Sequence, residues 1–305
     1  MKPQAQFIMA NNTMSESAKS VEQLTLELEI ERLKVLKLKN ELKRSNEEME
    51  SKSKEVISGF SYASRIVDAM LPGTKALQEI VADSFIIHQP KELIGGDFYF
   101  FTEVENGYVI ASADCTGHGI PGALISMIGY HLLKDIIVTK KITRPGQILN
   151  RLDDCIRKSL HKSERINSLR DGMDISICLV NTEKNILEFA GANQSLYFFM
   201  KGRMVEFKSN KFTIGEEACD YNHSYINHTI EFEKGDRFYM SSDGFHDQFG
   251  GAEEKRLMKK NFTGLLKLAN DLPINEQRDF MYQKFNEWKG DFEQTDDVLL
   301  IGVEL

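Results

Sequence analysis

Residues 108–123 read Y-V-I-A-S-A-D-C-T-G-H-G-I-P-G-A. Residues 108–113 form a short β-rich run that Asp114 closes; a glycine-rich turn follows, and Pro121 is well placed as a first helical residue. The turn lacks the Lys-Ser/Thr ending of a phosphate-binding P-loop. Aspartate stands at the end of three further strand-like runs. Asp97 precedes residues 98–101, Asp243 follows 238–242, and Asp296-Asp297 opens 298–301. If these strands are neighbours, the carboxylates converge at one edge of the core. Converging anions repel one another and cannot be buried unpaired. A hard divalent cation relieves this, and all-oxygen ligands suit Mg²⁺ or Mn²⁺. Any one of these aspartates, taken alone beside glycine, reads equally well as a turn residue.

Outward from this stretch, β-rich runs are expected at 85–88, 98–104, 175–180, 186–190, 196–200, 226–232, 237–242 and 298–303. Helical stretches are expected at 121–138, 145–161, 253–270 and 275–288. Strands dominate both halves and helices arrive in blocks, without strict βαβα alternation. That pattern predicts an α+β fold: two antiparallel sheets packed together, flanked by helices. Tyr197-Phe198-Phe199 reads as buried sheet, and Trp288 as an anchor for the last helix.

The first sixty residues obey a different rule. They hold ten Lys/Arg, ten Glu and no Asp, and neither Pro nor Gly occurs from Thr13 to Ser58. Val21, Leu24, Leu28, Val35, Leu38, Leu42, Met49 and Val56 follow steps of three and four once Glu31, Ser45 and Lys52 fill the gaps. This predicts a long coiled-coil helix over 1–58 that pairs with a second copy, as a parallel homodimer. Gly59 is expected to break it, and 59–74 to form a linker with a short amphipathic helix stopped by Pro72-Gly73. The remaining domain spans 75–305.

Composition narrows the function classes. The 305-residue chain is 41% hydrophobic and 28% charged, with 38 Lys+Arg against 46 Asp+Glu for a net charge of −8. Bulk attraction to nucleic acid or to an anionic membrane is not expected. No apolar run is read as approaching the ~20 residues of a membrane span, and the amino end lacks the apolar core of a secretion signal. Cys115, Cys155, Cys178 and Cys219 lie far apart with no C-x-x-C pair, which points away from zinc ribbons and disulfides and toward a cytoplasmic setting.

Six stretches together resemble one family: G-G-D-F-Y (95–99), A-D-C-T-G-H-G-I-P-G-A (113–123), D-G-M-D-I (171–175), A-G-A-N (190–193), S-S-D-G-F-H-D-Q-F-G-G (241–251) and Q-T-D-D-V-L-L-I-G-V (294–303). This is similar to the SpoIIE-like branch of the bacterial PPM (type 2C) metal-dependent serine/threonine phosphatases, over residues 60–305. The resemblance implies a PPM-type β-sandwich and a site for two ions, Mn²⁺ or Mg²⁺. Asp114 would bridge the ions, the Cys115 carbonyl and Asp97 would hold one, and Asp243 and Asp296 the other, with Asp297 as the alternative by one register step. Such ions acidify a water for in-line attack on phosphorus, so no protein nucleophile is needed. His118 stands as a candidate acid for the leaving oxygen. Asp247 fits one half of a third-metal pattern whose other half reads Gly191-Ala192-Asn193 here, and no arginine matches the phosphate grip of animal members. The implied substrate is a phosphoserine or phosphothreonine protein such as an anti-sigma-factor antagonist, with regulation through the coiled coil. The alternative is a catalytically weak phosphatase fold acting as a scaffold for signalling partners.

Overall fold

The computed structural model describes residues 3–160, 172–216 and 224–305; Cys219 lies outside them. The chain divides into a unit ending at Gly59 and a second unit, Phe60–Leu305.

Helix α1 is Pro3–Met70. Glu–Lys and Glu–Arg pairs three or four residues apart (Glu31–Lys34, Glu41–Lys37, Glu47–Lys43 and Glu48–Arg44) support it along its surface. Every apolar residue of the seam from Val21 to Val56 is solvent-exposed in the single chain. Gly59 does not break the helix, contrary to expectation. A glycine costs about 1 kcal/mol relative to alanine inside a helix, a small cost to a helix of 68 residues.

The second unit contains α2 (Ala76–Ile80), β1 (Ser84–Gln89), β2 (Phe98–Val104), β3 (Gly107–Cys115), α3 (Gly119–Lys134), α4 (Pro145–Leu160), β4 (Met173–Asn181), β5 (Ile186–Ala192), β6 (Leu196–Met200) and β7 (Arg203–Phe207). There follow β8 (His228–Glu231), β9 (Arg237–Ser241), α5 (Gly244–Asp247), β10 (Phe249–Gly250), β11 (Lys255–Arg256), α6 (Met258–Asn270), α7 (Ile274–Lys289) and β12 (Val298–Glu304). One sheet has the order β1-β12-β9-β6-β7, the other β2-β3-β4-β5-β8. Pairings within both sheets are antiparallel. This is the α+β sandwich that the strand pattern predicts.

Alternation along the strands sorts the core into three layers. Ile86, Tyr99, Ile110, Phe198, Phe238, Leu299 and Ile301 fill the space between the sheets. Val109, Ala111, Ala113, Ile175 and Ile177 face outward under Leu133, Ile148 and Leu152 of α3 and α4. Tyr197, Phe199, Tyr239 and Leu300 pack under Phe262, Leu266, Met281 and Phe285 of α6 and α7. Each fully buried large side chain contributes about 1.5–3 kcal/mol.

Several expectations shift. The segment Gly119–Thr139, α3 continued by a π-turn, is long and apolar enough to cross a membrane, so the sequence does hold such a run. Its Ala123, Ile125, Leu133, Ile136 and Ile137 are buried in the sandwich's outer layer, which accounts for the apolarity. Helix α3 starts at Gly119, ahead of Pro121. Helix α6 starts at Met258, because residues 249–256 turn back as the β10–β11 hairpin through Gly251 at φ +68°.

Candidate metal centre

Strand register gathers the aspartates. Phe98 pairs with Ala113 and Asp114 with Asp174, so Asp97, Asp114 and Asp174 stand side by side at one end of β2-β3-β4. Their parity matches Tyr99, Ile110 and Cys178, which point between the sheets. Toward this end the interior turns polar, with Ser112 and Ser176 fully buried. In the facing sheet Leu300 pairs with Ser241, so Asp243 and Asp296-Asp297 lie just beyond neighbouring strand ends. The four strand-end aspartates of the sequence therefore share one edge of the sandwich.

The electrostatics are those of crowded anions. Asp97 is 3% exposed, and its Oδ2 has no hydrogen-bond partner among the described residues. Burial holds its carboxyl well above the ordinary range; the Ser242 side chain opposes this, and the charges of Asp297, Asp296 and Asp243 add to it. Asp114 is raised too, by burial first and then by Asp97, Asp243, Asp296 and Asp174. Asp243 stands at the solvent edge and is pushed up to about 6, by desolvation first and then by Asp296, Asp247 and Asp174, with Arg256 opposing.

The two adjacent aspartates have different work. Asp297 is buried and accepts backbone N–H bonds from Gly96 (2.6 Å) and Lys91 (2.7 Å). Its carboxylate fills the space above Gly95, where a Cβ would meet it at 2.5 Å. Asp297 is thus the clasp that holds the Gly95-Gly96-Asp97 loop. Asp296 is exposed, and its Oδ1 accepts the Asp297 N–H at 2.8 Å. Gly244 completes the packing, since a Cβ there would overlap the Asp297 carbonyl.

The carbonyl of Cys115 faces the same loop: a Cβ on Gly96 would come within 2.9 Å of it. Its thiol is buried and pushed well above its ordinary pKa by that burial, a poor nucleophile. His118 precedes α3 as an exposed residue with Nδ1 2.7 Å from Glu92 Oε1. Asp247, one turn beyond Asp243, accepts from Arg256 Nη1 at 2.8 Å.

Asp174 carries no role in the sequence reading, yet it sits beside Asp114. Its Oδ1 accepts from Thr213 Oγ1 (2.8 Å) and Asn193 Nδ2 (3.0 Å), with Asn193 at φ +54°. The visible signal is the second aspartate of D-G-M-D-I opening a strand. Glu92 and Arg256 left no comparable sequence signal.

Among the described residues no three Asp, Glu, His or Cys side chains stand ready as a closed metal cage. The donor set nonetheless fits a hard divalent ion. It is all oxygen, it carries an orphaned buried carboxylate atom, and Mg²⁺-type ions keep several waters and need few protein ligands.

Residues 105–305 match the family model of Stage II sporulation protein E (SpoIIE). The chain belongs to the SpoIIE family. Asp97 lies ahead of the matched stretch, and the other strand-end aspartates lie within it. The SiaA PP2C domain of Pseudomonas aeruginosa is 30% identical with TM-score 0.75, over 83% of this chain and 98% of that one. The second unit of this SpoIIE-family chain accordingly contains a PP2C (PPM-type) domain. The phosphoserine phosphatase RsbU of Bacillus subtilis (strain 168) is 28% identical over 195 residues, 62% of this chain and 54% of RsbU. The chain thus spans about half the length of that curated relative. The catalytic domain of serine/threonine protein phosphatase PstP, solved with two manganese ions, shares the fold at 11% identity and TM-score 0.51, over 72% of this chain and 96% of that one.

Proposed function

We propose that this chain hydrolyses phosphoserine or phosphothreonine on a partner protein, with two Mn²⁺ or Mg²⁺ ions at the aspartate edge. The observation that carries the reading is the buried, unpartnered Asp97 Oδ2 among Asp114, Asp243 and Asp296. These four carboxylates on one edge are costly unless cations bind them. In this reading Asp114 would be shared by both ions. Asp97 and the Cys115 carbonyl would hold one, and Asp243 and Asp296 the other, while Asp297 is the loop clasp. When bound, the ions supply an acidified water and neutralise phosphoryl charge. Water adds to phosphorus as the bond to the serine or threonine oxygen breaks, and that oxygen takes up a proton. His118 suits this last step, because Glu92 at Nδ1 orients the ring and leaves Nε2 to act. Asp247 is no third-metal ligand in this reading, since Arg256 already neutralises it.

The exposed seam of α1 supports a homodimer through that helix, which would carry a regulatory signal. A small phosphorylated anti-sigma-factor antagonist or similar signalling protein fits as substrate, in a cytoplasmic setting.

Phosphate release from p-nitrophenyl phosphate and from a phosphoserine peptide tests the reaction. Turnover is expected with Mn²⁺ or Mg²⁺ and none with EDTA. Absence of turnover on both substrates with either metal would contradict it. In the same assay a chain lacking residues 1–58 is expected to run as a monomer with changed turnover. Unchanged turnover and metal affinity would remove regulation through α1.

A further inference from the structure

A site built from Asp97, Asp114, Asp174, Asp243, Asp247, Asp296 and Asp297 must still admit a phosphoryl dianion. Given the phosphatase reading above, on which this inference rests, some fixed cation is needed beside the ions to orient the substrate. Among the described residues three candidates stand near the edge. His118 is engaged by Glu92, and Lys211 lies beside Asp174, whose Oδ1 already takes two hydrogen bonds. The third is Arg256.

Arg256 pairs with Phe249 across the β10–β11 hairpin, and its guanidinium lies over the Phe249 ring at 5.6 Å. Nη1 reaches Asp247 Oδ2 at 2.8 Å, and the Asp247 N–H in turn bonds the Asp243 carbonyl at 3.0 Å. The guanidinium is thereby anchored one helical turn from Asp243, and its charge is felt there. The hairpin has its own support, because Trp288 Nε1 donates to the Gln248 carbonyl and the Gly251 N–H bonds the Trp288 carbonyl. The Arg256 side chain is half exposed, and among the described residues its one hydrogen bond, to Asp247, leaves four of the five N–H donors facing no protein acceptor.

We propose that Arg256 is the residue that grips the substrate's phosphoryl group at the lip of the metal centre. The planar fork suits two phosphoryl oxygens at once, while Asp247 and Phe249 keep it in place before substrate arrives.

The test is steady-state kinetics of the full chain in Mn²⁺ with a phosphoserine peptide, with inorganic phosphate as competitive inhibitor. Arg256→Ala and Arg256→Gln, the latter keeping a stem over Phe249, are expected to raise KM and the phosphate inhibition constant together by about tenfold or more. Mn²⁺ affinity and the unfolding midpoint are expected to stay unchanged, and Arg256→Lys to recover part of the loss. Unchanged KM and inhibition constant would overturn the proposal. So would a loss confined to kcat with weakened Mn²⁺ binding, which would make Arg256 a support for Asp247 and Asp243. Inert wild type would instead overturn the phosphatase reading itself.

Discussion

Replacing Asp243 with asparagine is expected to lower Mn²⁺-dependent phosphate release by on the order of 10²–10³-fold without destabilising the metal-free chain. The second half follows from charge. The Asp243 carboxyl is raised from 3.8 to about 6 in the fold, so the folded state holds its proton more tightly than the unfolded one. Stability from this group is therefore full below pH 3.8 and lost as pH rises through about 6. Asp97 and Asp114 shift in the same direction. In EDTA, wild type is expected to unfold at a higher temperature at pH 5 than at pH 7.5, and Asp243→Asn to narrow that gap. Saturating Mn²⁺ at pH 7.5 is expected to reverse the trend for wild type, by about 2.7 kcal/mol per bound ion at a hundredfold excess over the dissociation constant. Thermal unfolding over this grid of pH and metal checks all three. A stability loss for Asp243→Asn in EDTA would mean that the carboxylate serves the fold and not a cation.

The second large effect separates two neighbours. Asp297→Ala removes the acceptor for the Gly96 and Lys91 N–H groups and leaves a void above Gly95. Two stranded donors at about 1–3 kcal/mol each give a loss of roughly 3 kcal/mol, or about 6–12 °C in the unfolding midpoint. Activity is expected to fall with it, because Asp97 rides on the released loop. Asp296→Asn is expected to cut activity similarly at an unchanged midpoint. The opposite pattern would move the metal-holding role to Asp297.

The contrast shows what a linear sequence carries. Four aspartates at strand ends, with glycine or small residues near three of them, were enough to predict a shared edge, and antiparallel register explains why. Paired strands of similar length bring their ends level. The choice between Asp296 and Asp297 was not legible, since it depends on which carboxylate meets the backbone of a loop some two hundred residues away. Asp174 was hidden for a similar reason: its importance comes from lying opposite Asp114 in β4. Arg256 sits on a two-residue strand that no periodicity announces, inside a stretch expected to be helical. The Gly59 helix break failed because one glycine costs only about 1 kcal/mol and is a weak stop without proline beside it.

The central claim is that the aspartate edge is a two-ion site, and calorimetric titration of Mn²⁺ into the full chain at pH 7.5 tests it most directly. Two ions bound per chain are expected for wild type, with binding weakened in Asp114→Asn. No bound Mn²⁺, or binding indifferent to Asp114, would contradict it.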